Sequence, residues 1–265
     1  MTLCLILFQP RSGSSLLAQT LRILGMPMLG RFDSNCRQAL NPRGFWDIPE
    51  IRDHGLTVER REKYREELAD AAVKVLLFST FEGGGEQWAW FSEVRPAIFI
   101  TYRHPLEQAL SANAAFRRKQ VGTQEHFVEI TRSLRNWTFG IGKVVRFVRE
   151  GHPELIPRIR FVGYHEHLED PGAFVDKIAG HAGLSPDAAS LRQAVENIDH
   201  TLYRFQINEV PAQYLRWYQA MPARRYFEIL RTAPDSLWEM EWPDEPTAGA
   251  LSRTDRVDAV TGAHG

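Results

Sequence analysis

Four short apolar runs stand out along the chain, at 3–8, 72–78, 97–102 and 158–164. Each has the length of a buried strand, and none approaches the ~18 apolar residues needed to cross a bilayer. Between them the apolar positions recur three and four residues apart, the period of a helix with one buried face. Leu16, Leu17 and Leu21 form one such stripe, and Phe127, Ile130, Leu134, Trp137, Ile141, Val144 and Val145 form a longer one within 123–150. Further helices are predicted from Pro105 onward, from Pro171 to about Gly183, over 185–197, 211–221 and 222–232. The segment 58–72, with interleaved acidic and basic residues, reads as one solvated helix laced by i,i+4 pairs. Strands alternating with helices predict an α/β fold: a central parallel sheet flanked by helices in three layers, with right-handed crossovers. Ligands in such folds bind beyond the carboxyl ends of the strands.

Gly25-Met26-Pro27 closes the first helix, and the segment from 30 to 50 reads as a long irregular loop. Phe32, Phe45 and Trp46 within it need a surface to bury against, which argues for an ordered, functional loop. From Pro243 onward the residues are mainly Pro, Gly, Thr, Asp and Ala, so one domain over 1–242 and a flexible tail over 243–265 are expected.

Composition narrows the partners. With 32 Lys and Arg against 33 Asp and Glu the formal net charge is −1, so no global basic field recruits nucleic acid or anionic membranes, and any anion site must be local. The apolar first eight residues carry neither a basic leader nor a small-residue cleavage site, so a soluble, cytoplasmic protein is expected. The two cysteines, Cys4 and Cys36, have no metal-type spacing and read as free thiols. A homo-oligomer is compatible with the sequence, which leaves the oligomeric state open.

The candidate chemistry begins where the first strand ends. Gln9-Pro10-Arg11-Ser12-Gly13-Ser14-Ser15 joins an apolar run to a helix, so backbone N–H groups of the turn and of the first helical turn converge on one point, where the helix dipole also favours an anion. Gly13 permits close approach, Ser14 and Ser15 add hydroxyls, and Arg11 adds a planar cationic fork. A nucleoside triphosphate loop, G-x-x-x-x-G-K-[ST], fails here at both key positions: Phe8 stands where the first Gly belongs and Ser14 where the Lys belongs. A second basic position, Arg103, ends the 97–102 strand, and Ser111 follows two helical turns later. That spacing can set a guanidinium and a hydroxyl on one side of a phosphate.

The Pro10 to Ser15 stretch resembles the 5′-phosphosulfate loop of the sulfotransferases that use 3′-phosphoadenosine-5′-phosphosulfate (PAPS), P-[KR]-[ST]-G-[ST]-[ST]. Arg103 with Ser111 is similar to the 3′-phosphate motif of that family. Tyr164-His165-Glu166 through Pro171 to Gly183-Leu184 resembles its Y-E-D-L-x-x-x-P segment, with His165 departing from the usual Glu. Asn41-Pro42-Arg43-Gly44-Phe45-Trp46-Asp47 resembles the N-P-[KR]-G-Y-F-E segment of many bacterial members.

The resemblance implies the P-loop-like sulfotransferase fold and transfer of a sulfuryl group from PAPS to a hydroxyl or amine of a small-molecule, sugar or lipid-like acceptor, leaving PAP, with no metal. It implies that Arg11, Ser12, Gly13, Ser14, Ser15, Arg103, Ser111 and Tyr164 hold the nucleotide. Arg11 and the loop N–H groups would hold the charge of the transferring group, and a carboxylate would take the acceptor proton. Asp33 and Asp47 are the candidates for that base; His54 and His104 are further ones, with His104 expected on the nucleotide side. Lys74 falls where members often place a basic residue near the transferred group, though a strand-edge lysine has the same appearance. The loop from Phe32 to Trp46, Trp88 and Trp90, and Tyr214, Trp217 and Tyr218 are expected to wall a pocket for an apolar or ring-bearing acceptor. Two other readings stay open: a kinase-like nucleotide enzyme, and a PAP-binding protein of the same fold without chemistry.

Overall fold

The apolar runs become strands of one parallel sheet: β1 (Cys4–Phe8), β3 (Ala72–Leu76), β4 (Ala97–Tyr102) and β5 (Ile159–Gly163), with a two-residue β2 (Met28–Leu29) that no apolar run announces. The order across the sheet is β2-β3-β1-β4-β5. This computed structural model describes residues 3–30, 46–82, 85–117, 119–199, 210 and 212–242. Phe32, Asp33, Cys36, the 41–45 part of the Asn41 segment and the expected tail at 243–265 lie outside those residues.

Alternation along β1 shows why helices cover both faces. Leu5 and Leu7 point into one apolar cluster, Cys4 and Ile6 into another. Helix α1 (Ser14–Ile23) supplies Leu17, Ala18 and Leu21 to the Cys4 side. Much later in the chain, after the single turn α8 (Glu166–Glu169), α9 (Pro171–Ala182) and α10 (Ala188–Glu196) complete that layer with Phe174, Ile178 and Ala194. On the Leu5 side lie α5 (Glu86–Val94), α6 (Pro105–Ala112) and the 28-residue α7 (Gln124–Gly151), whose buried stripe is the one read from the sequence. Helices α11 (Ala212–Gln219) and α12 (Pro222–Thr232) close that side. Local chemistry sets the helix starts. Pro105, Pro171 and Pro222 each occupy the first turn, while Thr123, Asp170 and Asp187 cap by accepting backbone N–H bonds.

Two expectations change. The charged segment is not one helix but α3 (Val58–Lys63) and α4 (Arg65–Leu68), broken at Tyr64. Arg65 pairs with Glu62 within the segment, but other side chains bond to neighbouring elements. Tyr64 donates to Glu50, Lys63 Nζ lies 2.6 Å from the same carboxylate, and Arg61 pairs with Glu86 at 2.5 Å. Glu50 itself sits in α2 (Pro49–His54), inside the stretch read as irregular, where Pro49 opens the helix.

Gly142 marks a tight contact on α7. A Cβ there would stand 2.4 Å from Cε3 of Trp242, whose indole stacks on Tyr226 at 4.1 Å. Gly142→Ala gains about 1 kcal/mol of helix propensity and loses about 1–3 kcal/mol to overpacking. The expected net result is a lower urea midpoint; an unchanged or higher midpoint would mean that the indole swings aside freely.

Candidate active site

β1 lies between β3 and β4, with Phe8 level with Leu76 on one side and Thr101 on the other. The helix that follows β1 crosses to one face of the sheet and α6, after β4, crosses to the opposite face. Neighbouring strands whose helices part in this way open a crevice at their carboxyl ends. The Arg11 loop and Arg103 both enter it.

The loop is curled by two left-handed residues, Arg11 at φ 70° and Gly13 at φ 97°. Such a turn points successive N–H groups to one side, a small anion nest ahead of the α1 N-terminus. Ser12 is turned inward: its N–H donates to the Gln9 carbonyl at 3.3 Å and its hydroxyl shares a 2.6 Å hydrogen bond with Thr101. In this arrangement Ser12 shapes the loop. Gly13 meets a second constraint, because a Cβ would stand 2.5 Å from Cδ2 of Tyr164. The loop and the residue just past β5 are therefore in direct contact across β4.

Arg103 is buried. Its Nε donates to Glu107 at 3.2 Å and its guanidinium lies 4.6 Å over the Tyr164 ring. Ser111, also buried, accepts a 3.0 Å hydrogen bond from Nε of Arg11. Arg11, Gly13, Arg103, Ser111 and Tyr164 thus form one contiguous group, though Arg11 and Ser111 are a hundred residues apart. Glu107 went unread in the sequence. Its signal was an acidic residue four places after Arg103 at the start of a helix, where i and i+4 share a face.

Lys74 is not an exposed edge lysine. Although β2 pairs only with Ala72 and Val73 of β3, the lysine is 1% exposed, with Nζ 3.4 Å from Oγ of Ser15 and 5.0 Å over the Phe8 ring. Asp47, a half-buried residue, places Oδ2 4.0 Å from that ammonium and 3.5 Å from Arg52. Burial lowers the Lys74 pKa to about 8; Asp47 opposes the shift and Arg52 adds to it. The structure thus joins Asp47 to the loop through Lys74 and Ser15.

His54 and His104 differ in exposure, and two of the expected pocket aromatics lie in the core. His54 is exposed beside Glu82. The ring of His104 lies 4.8 Å from both Tyr218 and Phe227, and its pKa is lowered to about 4, first by burial and then by the Arg103 guanidinium. Trp88 and Tyr214, expected to wall a pocket, are core residues: Trp88 packs on Phe91, and Tyr214 bonds Nδ1 of buried His126 at 2.6 Å. Both were read as pocket walls because sequence cannot distinguish an aromatic facing a crevice from one facing the core. Phe78, just past β3, is instead an exposed ring, at 44%. Among the described residues, no group of three or more His, Cys, Asp or Glu side chains gathers as a metal site, and no helix is long and apolar enough to cross a membrane.

No protein-family model matches the chain, and no curated protein sequence does. Its structure is similar to that of mouse sulfotransferase SULT7A1 complexed with PAP, with TM-score 0.54 and 13% identity over 90% of this chain and 88% of that one. A sulfotransferase from Alicyclobacillus acidocaldarius gives TM-score 0.43 at 14% identity, covering 77% and 99%. Retinol dehydratase in a complex with retinol and PAP gives 0.45 at 16%, covering 91% and 83%. The α/β architecture expected from the apolar runs is that of the mouse sulfotransferase, so the chain has the sulfotransferase fold.

Lys74 yields a pH prediction. A lysine with a lowered folded-state pKa binds fewer protons folded than unfolded between about pH 8 and 10.5, so stability rises with pH across that window. Lys74→Met should therefore exceed the parent in stability by most below pH 8, with the gap closing toward pH 10.5. Denaturant midpoints at several pH values check this; a constant gap would mean the amine is not burdened by burial.

Proposed function

We propose that this chain is a PAPS-dependent sulfotransferase acting on a hydroxyl or amine of a small-molecule, sugar or lipid-like acceptor. The observation that carries the reading is the contiguous group in which the Arg11 loop meets Ser111 through a 3.0 Å bond and meets Arg103 through Tyr164. A loop nest with no room for a Cβ at Gly13 suits a phosphosulfate, and the buried guanidinium of Arg103, oriented by Glu107, suits a second phosphate. The stacked Tyr164 offers an edge and a hydroxyl to a base.

PAPS, when bound, supplies the sulfuryl group and a phosphate leaving group. The residues do the rest. Arg11, Ser14, Ser15 and the loop N–H groups hold negative charge where it develops, as preorganised donors that need no reorganisation. Arg11 stays protonated throughout, so it contributes charge and hydrogen bonds only. Lys74 brings a second cation to the same end of the loop, with an amine whose pKa burial lowers to about 8. An acceptor hydroxyl gives its proton to a carboxylate as its oxygen bonds to sulfur. Asp47 is the candidate near the loop through Lys74; Asp33 lies outside the described residues and stays a candidate. Arg103 and Ser111, with Tyr164, bind and orient the nucleotide end. The domain over 1–242 and a cytoplasmic setting belong to the same proposal.

Thermal unfolding of the chain with PAP and with Mg-ATP tests it. PAP at about 100 times its dissociation constant adds about 2.7 kcal/mol, and Arg103→Ala should abolish most of that gain. Stabilisation by ATP and not by PAP would refute the reading in favour of a triphosphate enzyme. Asp47→Asn should lower turnover about 10²-fold or more with PAP binding intact, as loss of a general base does; unchanged turnover would shift the role to Asp33.

A further inference from the structure

Gln9 stands one residue ahead of the loop proline and is 6% exposed. A buried primary amide is unfavourable unless its donors and acceptor are met. Here they are met by two helices that follow other parts of the chain. Nε2 of Gln9 donates to the carbonyls of Asn136 and Trp137 in α7, both at 3.2 Å. Its Oε1 accepts from Nε2 of Gln108 in α6 at 3.3 Å. Its own carbonyl accepts the Ser12 N–H that closes the turn. One residue therefore ties the anion loop to the helix carrying Ser111 and to the long helix behind both.

The neighbours are adapted to this contact. Glycine is disfavoured within a helix, yet Gly140 lies in the middle of α7, where a Cβ would stand 2.3 Å from Nε2 of Gln9 and 2.9 Å from Cζ of Phe78. Only a bare backbone lets the amide reach the helix carbonyls. Gln108 is buried as well, and its Oε1 has no hydrogen-bond partner among the described residues. Its burial is compensated through the NH₂ group that Gln9 accepts from.

We infer that Gln9 is a positioning residue that sets the separation of the two phosphate subsites, Arg11 to Ser15 on one side and Arg103 with Ser111 on the other, through Gln108 and Gly140. This rests on the PAPS reading. A ligand with two phosphates gains from two sites held at the right distance, because less order is lost on binding; a ligand with one phosphate gains little. Loss of the Gln9 amide should thus weaken bisphosphate binding more than monophosphate binding. A residue that merely supported the fold would weaken both alike.

The test titrates the full chain with PAP and with adenosine 5′-phosphate by calorimetry, for the parent, Gln9→Leu, Gln108→Leu, the double variant and Gly140→Ala. The expected result is PAP binding weakened about tenfold in each single variant, the scale of one lost buried hydrogen bond, with a smaller change for adenosine 5′-phosphate. The double variant should be no weaker than either single one, as residues acting through one contact are not additive. Should Gln9→Leu fail to fold, Gln108→Leu and Gly140→Ala carry the same expectation. Equal weakening toward both ligands, additive losses, or unchanged PAP binding in folded variants would overturn the inference. A parent that does not prefer PAP would instead refute the donor reading, a result visible without any variant.

Discussion

Between Phe8 and α1 the backbone enters the left-handed region at Arg11 and again at Gly13. Gly13 tolerates it freely, whereas for Arg11 the conformation costs about 1–2 kcal/mol, so the turn persists only because its surroundings over-determine it. Thr101 holds Ser12 from β4, Tyr164 closes over Gly13 from beyond β5, and Ser111 receives the Arg11 side chain from α6. The remainder of the crevice depends on that curl. Were it relaxed, the N–H groups would lose their common focus and Arg11 would no longer face Ser111.

The second constraint is buried charge. Two cations, Arg103 and Lys74, sit inside the protein, and removing an ion from water without a partner is expensive. Each has a carboxylate, yet the two pairs are unequal. Arg103 and Glu107 are one helical turn apart and hydrogen bonded at 3.2 Å. Lys74 and Asp47 come from separate segments and stop at 4.0 Å. With the looser pair, burial outweighs attraction, which is why the Lys74 pKa falls to about 8 rather than rising. That imbalance leaves a cation near the loop whose proton is exchangeable, beside an arginine whose proton is not.

The strands are legible in the sequence because a parallel sheet buries both faces, so its strands are apolar throughout. The stripe on α7 and the proline-led helix starts were legible for equally local reasons. The charged segment at 58–72 misled, because interleaved signs look the same whether the partners lie along the helix or across to Glu50 and Glu86. Lys74 was ambiguous on one missing fact. β2 pairs only with Ala72 and Val73, so Lys74 is enclosed instead by Phe8, Ser15 and Asp47, which no local pattern brings to it. Trp88 and Tyr214 erred in the other direction, as aromatic composition carries no information about which way a ring faces.

By itself the sequence determined the layered α/β class and singled out the residues proposed to bind phosphate, since these rest on periodicity and on motifs only a few residues long. Tertiary structure alone decided which of those residues meet. Arg11 reaches Ser111, Tyr164 lies on Gly13, and Asp47 approaches Lys74 because parallel crossovers bring the carboxyl ends of distant strands to one edge, with a register that short-range pattern does not encode.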